Sequence, residues 1–206
     1  MRQVGSIFGV ANNNDYPEII IDSIPVPDFI SNKRNEKKAL HILQDRVLRL
    51  SQIPVSYLAV ACNTAHLLLS DLQNETNKPF VSMIDAVVNE IKLRAYKRIG
   101  LLASPTTIQT KLYQDKMNQN QVKVVLPSQT SIKKLGKIIK RIINGEVKES
   151  KRELVAIANE LTKRKVDAII LGCTELPLVF PKKYVIPSIN SLDVLARALI
   201  VKYYFE

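Results

Sequence analysis

"VSYLAVACNT" at residues 55–64 and "VDAIILGCTE" at residues 166–175 decide how this chain is read. Each opens on a valine, runs through apolar and β-branched residues, and reaches a cysteine seven positions later (62 − 55; 173 − 166). These are the only two cysteines in 206 residues. Each segment follows an amphipathic helical pattern, with Leu40, Leu43, Val47 and Leu50 before the first and Leu154, Ile157 and Leu161 before the second. Each is followed, some twenty residues on, by a proline-containing strand and an aspartate that opens a helix, "KPFVSMIDAVVNEI" and "VIPSINSLDVLARAL". Several correspondences in the same order mark a duplicated α/β half-domain.

Working outward, short β-rich runs alternate with helical stretches. Strands are expected at "EIIIDSI" (18–24), "VSYLAVA" (55–61), "KPFVSMI" (78–84), "RIGLLAS" (98–104), "VKVVLP" (122–127), "VDAIILG" (166–172) and "YVIPSI" (184–189). The amphipathic stretches between them serve as crossovers, which implies parallel pairing. The near absence of charge in "VSYLAVA" implies burial on both faces of a sheet. The expectation is an α/β protein of two pseudo-symmetric, open, mainly parallel-sheet domains with flanking helices and a cleft between them. The first would comprise residues 1–80 with 185–206, and the second residues 81–184.

Composition narrows the function. Apolar residues make up 46% of the chain, enough for a sizeable core, and no apolar run reaches the roughly 18 residues that would span a bilayer. "MRQVGSIFGVANNN" lacks the pattern of a secretory signal, so a cytoplasmic location and two free thiols are expected. The net charge of +11 does not indicate nucleic acid. Its lysines and arginines are interleaved with acids in "NKRNEKKALHILQDR" and "GEVKESKRELVAIANELTKRK", without aromatics on which bases could stack. They read as solvated helix faces that can attract an anionic substrate. Neither a nucleic-acid nor a membrane partner is expected.

In an open parallel sheet, ligands bind at the carboxyl ends of the strands. Both cysteines fall there, each just before a helix whose free N–H groups favour an anion and lower a thiol pKa. Two related halves would aim two thiols at one ligand from opposite sides. That symmetry suits removal of a proton from one face of a carbon and return of a proton to the other, with one cysteine as base and its partner as acid. The α-hydrogen of an amino acid is weakly acidic, so donors must stabilise the carbanion charge on the carboxylate. Asn63, Thr64 and Thr174 supply amide, hydroxyl and backbone donors beside the thiols. The plainer alternative is a pair of buried cysteines with no chemistry, a common fate of free thiols. Zinc is disfavoured, because there is no CxxC pair and only two histidines are present.

"ACNTAH" and "LGCTELPL", with cysteines 111 positions apart (173 − 62), resemble the aspartate/glutamate racemase family, most closely its aspartate racemase branch. The resemblance runs from about residue 15 to the C-terminus. It implies an isomerase without PLP or any other cofactor, acting on a small amino acid, with Cys62 and Cys173 as the acid/base pair and a homodimeric assembly. It further implies that Asn63, Thr64 and Thr174 bind the substrate, and that Ser104 and Thr107 of "LLASPTT" lie near its carboxylate. His66 and Glu175, each close to a cysteine, could tune it or bind the ammonium group, or could be a helix-face histidine and a capping carboxylate. His41 reads as structural. The resemblance also implies that "KPFVSMID" and "YVIPSIN" exchange sheets, so that the final helix packs on the first half.

Three departures bear on the substrate. The glycine-rich "GGMGP"-like turn that usually follows the first strand has no counterpart, so that "VGSIFGVA" reads as the back of the first helix and the first strand as missing. Phe29 stands where many aspartate racemases carry an arginine in "PDR", and Ile143 aligns with a frequent lysine; Arg34 or Lys33 could substitute. The expected activity is racemisation of aspartate or a related acidic amino acid. The alternatives are dicarboxylate isomerisation through one cysteine nucleophile and a catalytically impaired carboxylate-binding protein.

Overall fold

A computed structural model describes residues 9–10, 12–29 and 33–205. The segment expected to form the back of a first helix, around residues 4–11, lies almost wholly outside these, as does the question of a missing first strand. The side chain of Lys33 is likewise outside them.

The second half is an α/β layer structure built on one sheet of four parallel strands. In chain order these are β1 (Arg98–Ala103), β2 (Lys123–Val125), β3 (Ala168–Gly172) and β4 (Ser188–Asn190), arranged β2-β1-β3-β4. The central strands, β1 from Ile99 onward and β3, are buried on both faces, as their apolar sequences require, while the edge strands β2 and β4 expose Lys123 and Ser188. Ile99, Leu101, Ala103, Ala168 and Ile170 face one apolar layer, while Leu102, Ile169 and Leu171 face the other, following the two-residue repeat of a strand.

Helices cover both faces. The first layer is closed by α3 (Met83–Leu93), α5 (Leu112–Gln119) and the final helix α9 (Ser191–Phe205). The second is closed by α6 (Gln129–Ile143), α7 (Val147–Thr162) and the single turn α8 (Leu176–Val179). Apolar residues Ile132, Leu135, Ile138, Ile139 and Ile142 recur at three- and four-residue steps along α6 and are all buried, leaving its lysines in water. Serines start these helices cleanly. Ser82, Ser104 and Ser128 each accept the backbone N–H three residues on, at 3.1–3.2 Å, opening α3, α4 (Pro105–Gln109) and α6.

The first half contains α1 (Glu36–Ser51) and α2 (Leu69–Gln73), the latter preceded by a 3₁₀ turn over Thr64–Leu68. Ala39, Leu43 and Val47 of α1 pack with Phe29, Leu58, Ala65, Leu68 and Leu72. Here the strand expectations need correction. Among the described residues, 18–24 form no strand, and 55–61 and 78–84 share only the bridge between Leu58 and Phe80. Ile19, Ile20 and Ile21 remain 58%, 44% and 87% exposed, so this β-prone stretch has neither a paired neighbour nor a buried face. A strand persists only where a partner satisfies its backbone groups.

The expected exchange of strands is also not found. Residues 188–190 pair with β3 and stay in the sheet of the second half. The final helix α9 nevertheless reaches the first half, where Lys202 Nζ lies 5.4 Å from the centre of the Tyr57 ring and Tyr57 packs against the cluster formed by Leu195, Val81 and Met83. No helix among the described residues is long and apolar enough to cross a membrane.

Candidate active site

The order of the strands makes a crevice. From β1 the chain crosses to β2 on one side, and from β3 it crosses to β4 on the other, so adjacent strands β1 and β3 send their connections in opposite directions. Such a switch point opens the sheet at its carboxyl edge. The register pairs Ala103 with Gly172, so the residues that follow, Ser104 and Cys173, emerge side by side at that edge.

The turn holding Cys62 comes to the same place. Thr64 Oγ1 lies 3.1 Å from Ser104 Oγ and 2.8 Å from Thr107 Oγ1, and Ser104 Oγ lies 3.0 Å from Thr107 Oγ1. All three hydroxyls are buried. Each has one proton, which can be used within the triangle or turned towards an anion. Asn63, the residue after Cys62, donates from Nδ2 to Ser191 Oγ at 3.0 Å, and Ser191 Oγ donates to the Leu171 carbonyl at 3.0 Å. The segments that carry Cys62 and Cys173 are thus tied by two hydrogen bonds, from Asn63 to Ser191 and from Ser191 to Leu171.

Tyr113 extends that tie. Its ring is fully buried, and its hydroxyl donates to Asn63 Oδ1 at 2.5 Å. Burial raises the phenol pKa far above its ordinary value, so the group remains a donor. Gly172 makes room for it. A Cβ at this position would lie 3.2 Å from the Tyr113 ring and 3.2 Å from both Ala103 and Leu101. Neither Tyr113 nor Ser191 was expected from sequence. Ser191 opens α9 directly after the proline-containing strand of the repeat, a position that could have drawn attention; Tyr113 carries no comparable signal.

Both cysteines are free and half-buried. Burial raises the Cys62 pKa; the backbone N–H groups of Ala65 and Thr64 partly oppose it, and the Glu175 carboxylate adds to it. Burial also raises the Cys173 pKa, with further upward contributions from the Glu175 charge, the hydrogen bond to Glu175 and Cys62. The Cys173 thiol donates to Glu175 Oε2 at 2.9 Å, and Thr174 Oγ1 donates to the same oxygen at 3.1 Å. Both shifts favour the thiol form, and the Glu175 carboxylate accepts the hydrogen bond of one of the two thiols.

His66 bonds to backbone on both sides of its ring. Its Nδ1 is 2.8 Å from the Cys62 carbonyl and its Nε2 accepts the Met83 N–H at 2.9 Å, so both ring nitrogens are engaged by backbone. Burial lowers its pKa and keeps it neutral. Phe29 is 4% exposed in the apolar cluster against which Cys62 packs. Ile143 is 66% exposed at the last turn of α6, pointing to solvent. A surface depression of about 370 Å³ lined by Leu48, Ser51, Glu75 and Lys78, among others, carries no thiol.

Residues 6–199 match the model of the Asp/Glu/Hydantoin racemase family, and the chain belongs to that family. It is 26% identical over 198 residues to a broad-specificity amino-acid racemase of Bacillus subtilis, covering 96% of this chain and 86% of that one. Its fold is similar to that of an aspartate racemase homologue from Pyrococcus horikoshii, with a TM-score of 0.79, 29% identity, and coverage of 100% of this chain and 90% of the other. It is also similar to the Picrophilus torridus aspartate racemase, with a TM-score of 0.82, 25% identity, and coverage of 98% and 86%.

Proposed function

We propose that the protein is a cofactor-independent amino-acid racemase in which Cys62 and Cys173 act from opposite faces of the substrate α-carbon. The observation that carries this reading is the hydrogen-bonded bridge Asn63–Ser191–Leu171, which holds the two cysteine segments together at the carboxyl edge of the sheet.

The resting thiols fit the chemistry. A zwitterionic amino acid brings an ammonium group, and a positive charge beside a thiol lowers its pKa. Binding therefore favours a thiolate only when substrate is present. The Cys173 proton has an acceptor in Glu175, 2.9 Å away, while a Cys62 thiolate would keep the N–H groups of Ala65 and Thr64. One thiolate removes the α-hydrogen and becomes a thiol; the opposite thiol protonates the carbanion and becomes a thiolate. The hydroxyls of Thr64, Ser104, Thr107 and Thr174 and the Asn63 amide are the donors for the substrate carboxylate, whose negative charge grows as the α-proton leaves.

The relatives' names point both to aspartate and to a broad range of amino acids. Phe29 offers an apolar wall rather than a cation, so aspartate is the first substrate to test and neutral amino acids belong beside it. The test is α-hydrogen exchange in deuterated water, followed by NMR together with chiral chromatography, for aspartate, glutamate and a neutral panel. Exchange with inversion supports the reading. Inversion-free turnover of a dicarboxylate, or binding without exchange, would replace it with the isomerase or the binding-protein alternative.

A further inference from the structure

His66 is buried beside Cys62, and both its ring nitrogens are engaged by backbone groups. Its partners fix its tautomer. The Met83 amide can only donate, so Nε2 is the acceptor; the ring proton is then on Nδ1, facing the Cys62 carbonyl, which can only accept. Met83 is the first residue of α3 and fully buried, so the ring satisfies one of the N–H groups that a helix leaves open at its start. The His66 backbone N–H also bonds the Asn63 carbonyl at 3.1 Å, closing the turn.

The consequence falls on the sulfur. Within this closed turn, the backbone N–H groups of Thr64 and Ala65 lie on the side of the Cys62 thiolate, lowering its pKa against burial, and both residues are nearly inaccessible at 3% and 4% exposure. We propose that His66 is a positioning residue for Cys62, a neutral clamp between the cysteine turn and the start of α3 that holds the Thr64 and Ala65 amides on the Cys62 sulfur. The second half has a separate tie, because the first residue of α9, Ser191, bonds the Leu171 carbonyl two residues before Cys173. Cys173 draws on Glu175 rather than on the imidazole. His66 thus serves one thiol and not the other. The only other side chain acting on the ring, among the described residues, is Asp85 on α3.

The inference rests on the racemase reading for its first test but not for its second. In the first, His66→Ala is combined with each single-cysteine variant, and α-hydrogen exchange of both enantiomers is followed in deuterated water. With Cys173→Ser, where Cys62 works alone, exchange should fall about tenfold, the scale of one net hydrogen bond. With Cys62→Ser, where Cys173 works alone, it should change by less than about twofold. His66→Asn, which can keep the donor to the Cys62 carbonyl, and His66→Gln, which can keep the acceptor for Met83, should each recover part of the loss. An equal fall in both backgrounds, or no recovery by either amide, overturns the inference.

The second test needs no turnover. The pH at which each cysteine reaches half its limiting alkylation rate with iodoacetamide is read by peptide mass spectrometry in wild type and in His66→Ala, His66→Asn and His66→Gln. Displacement for Cys62 alone supports the clamp even if wild type exchanges no amino acid, an outcome that would refute only the racemase reading. Displacement of both cysteines, or of neither, overturns the inference.

Discussion

Asn63 Nδ2 and Ser191 Oγ, 128 residues apart in sequence, lie 3.0 Å apart in the buried centre of the site. The same asparagine accepts the Tyr113 hydroxyl on its other side-chain atom, so one amide fastens the turn after Cys62 to both α5 and α9.

That arrangement predicts an order of costs. Asn63→Ala leaves a fully buried phenol hydroxyl without its acceptor and Ser191 without its donor. It should destabilise the protein by about 2–4 kcal/mol, at the upper end for unsatisfied buried groups. Tyr113→Phe removes the hydroxyl and leaves only Asn63 Oδ1 short of a partner, which should cost about 1 kcal/mol. Urea unfolding of both variants checks the order; a costlier Tyr113→Phe would contradict the assigned bonding.

The lowered pKa of His66 makes a prediction about acid stability. From its ordinary value of 6.5, burial moves the folded-state pKa down. Between the two values the unfolded chain binds a proton that the folded one refuses, so unfolding free energy rises with pH there. His66 therefore favours the fold above about pH 6.5, and that contribution is lost as pH falls through the unfolded and towards the folded value. His66→Asn, which cannot titrate, should flatten the acid side of a stability-versus-pH curve measured by urea unfolding. An unchanged slope would mean that the imidazole is not held neutral.

Glu175 should govern Cys173 more than Cys62. Its carboxylate raises the Cys173 pKa both by charge and by accepting the thiol hydrogen, while at Cys62 it acts by charge alone, as the smallest contribution. In Glu175→Gln the pH at half-maximal alkylation should drop clearly for Cys173 and only slightly for Cys62. Racemisation should also weaken, since the thiol loses its nearest proton acceptor. Equal displacement of the two thiols would show that the 2.9 Å contact has no special role.

Much of this could be read from the chain. β1, β3 and the helices around them follow directly from dense apolar runs and three- and four-residue periodicity, and the paired cysteine motifs pointed to the carboxyl edge of the sheet, where Asn63 bonds Ser191. The Thr64, Ser104 and Thr107 hydroxyls, singled out by motif, meet within hydrogen-bonding distance. What could not be read depends on partners distant in sequence. "EIIIDSI" has every local mark of a strand, yet its isoleucines remain exposed because pairing is not a local property. Tyr113 is an ordinary aromatic in a helical stretch until the fold brings it to Asn63. His66 has a titratable ring beside a cysteine, which suggests chemistry, and only its two backbone contacts reveal a clamp.

The central claim is that Cys62 and Cys173 serve opposite faces of one carbon, and α-hydrogen exchange by the two single variants tests it most directly. Serine's hydroxyl is far too weakly acidic to replace a thiolate base, so Cys62→Ser and Cys173→Ser should each lose racemisation. Each should still exchange the α-hydrogen of one enantiomer with deuterated water, because the remaining thiolate can remove and return a proton on its own face. The account predicts opposite enantiomer preferences for the two variants, measured on whichever amino acid the wild type inverts. Exchange of the same enantiomer by both, or racemisation surviving in either, would contradict it.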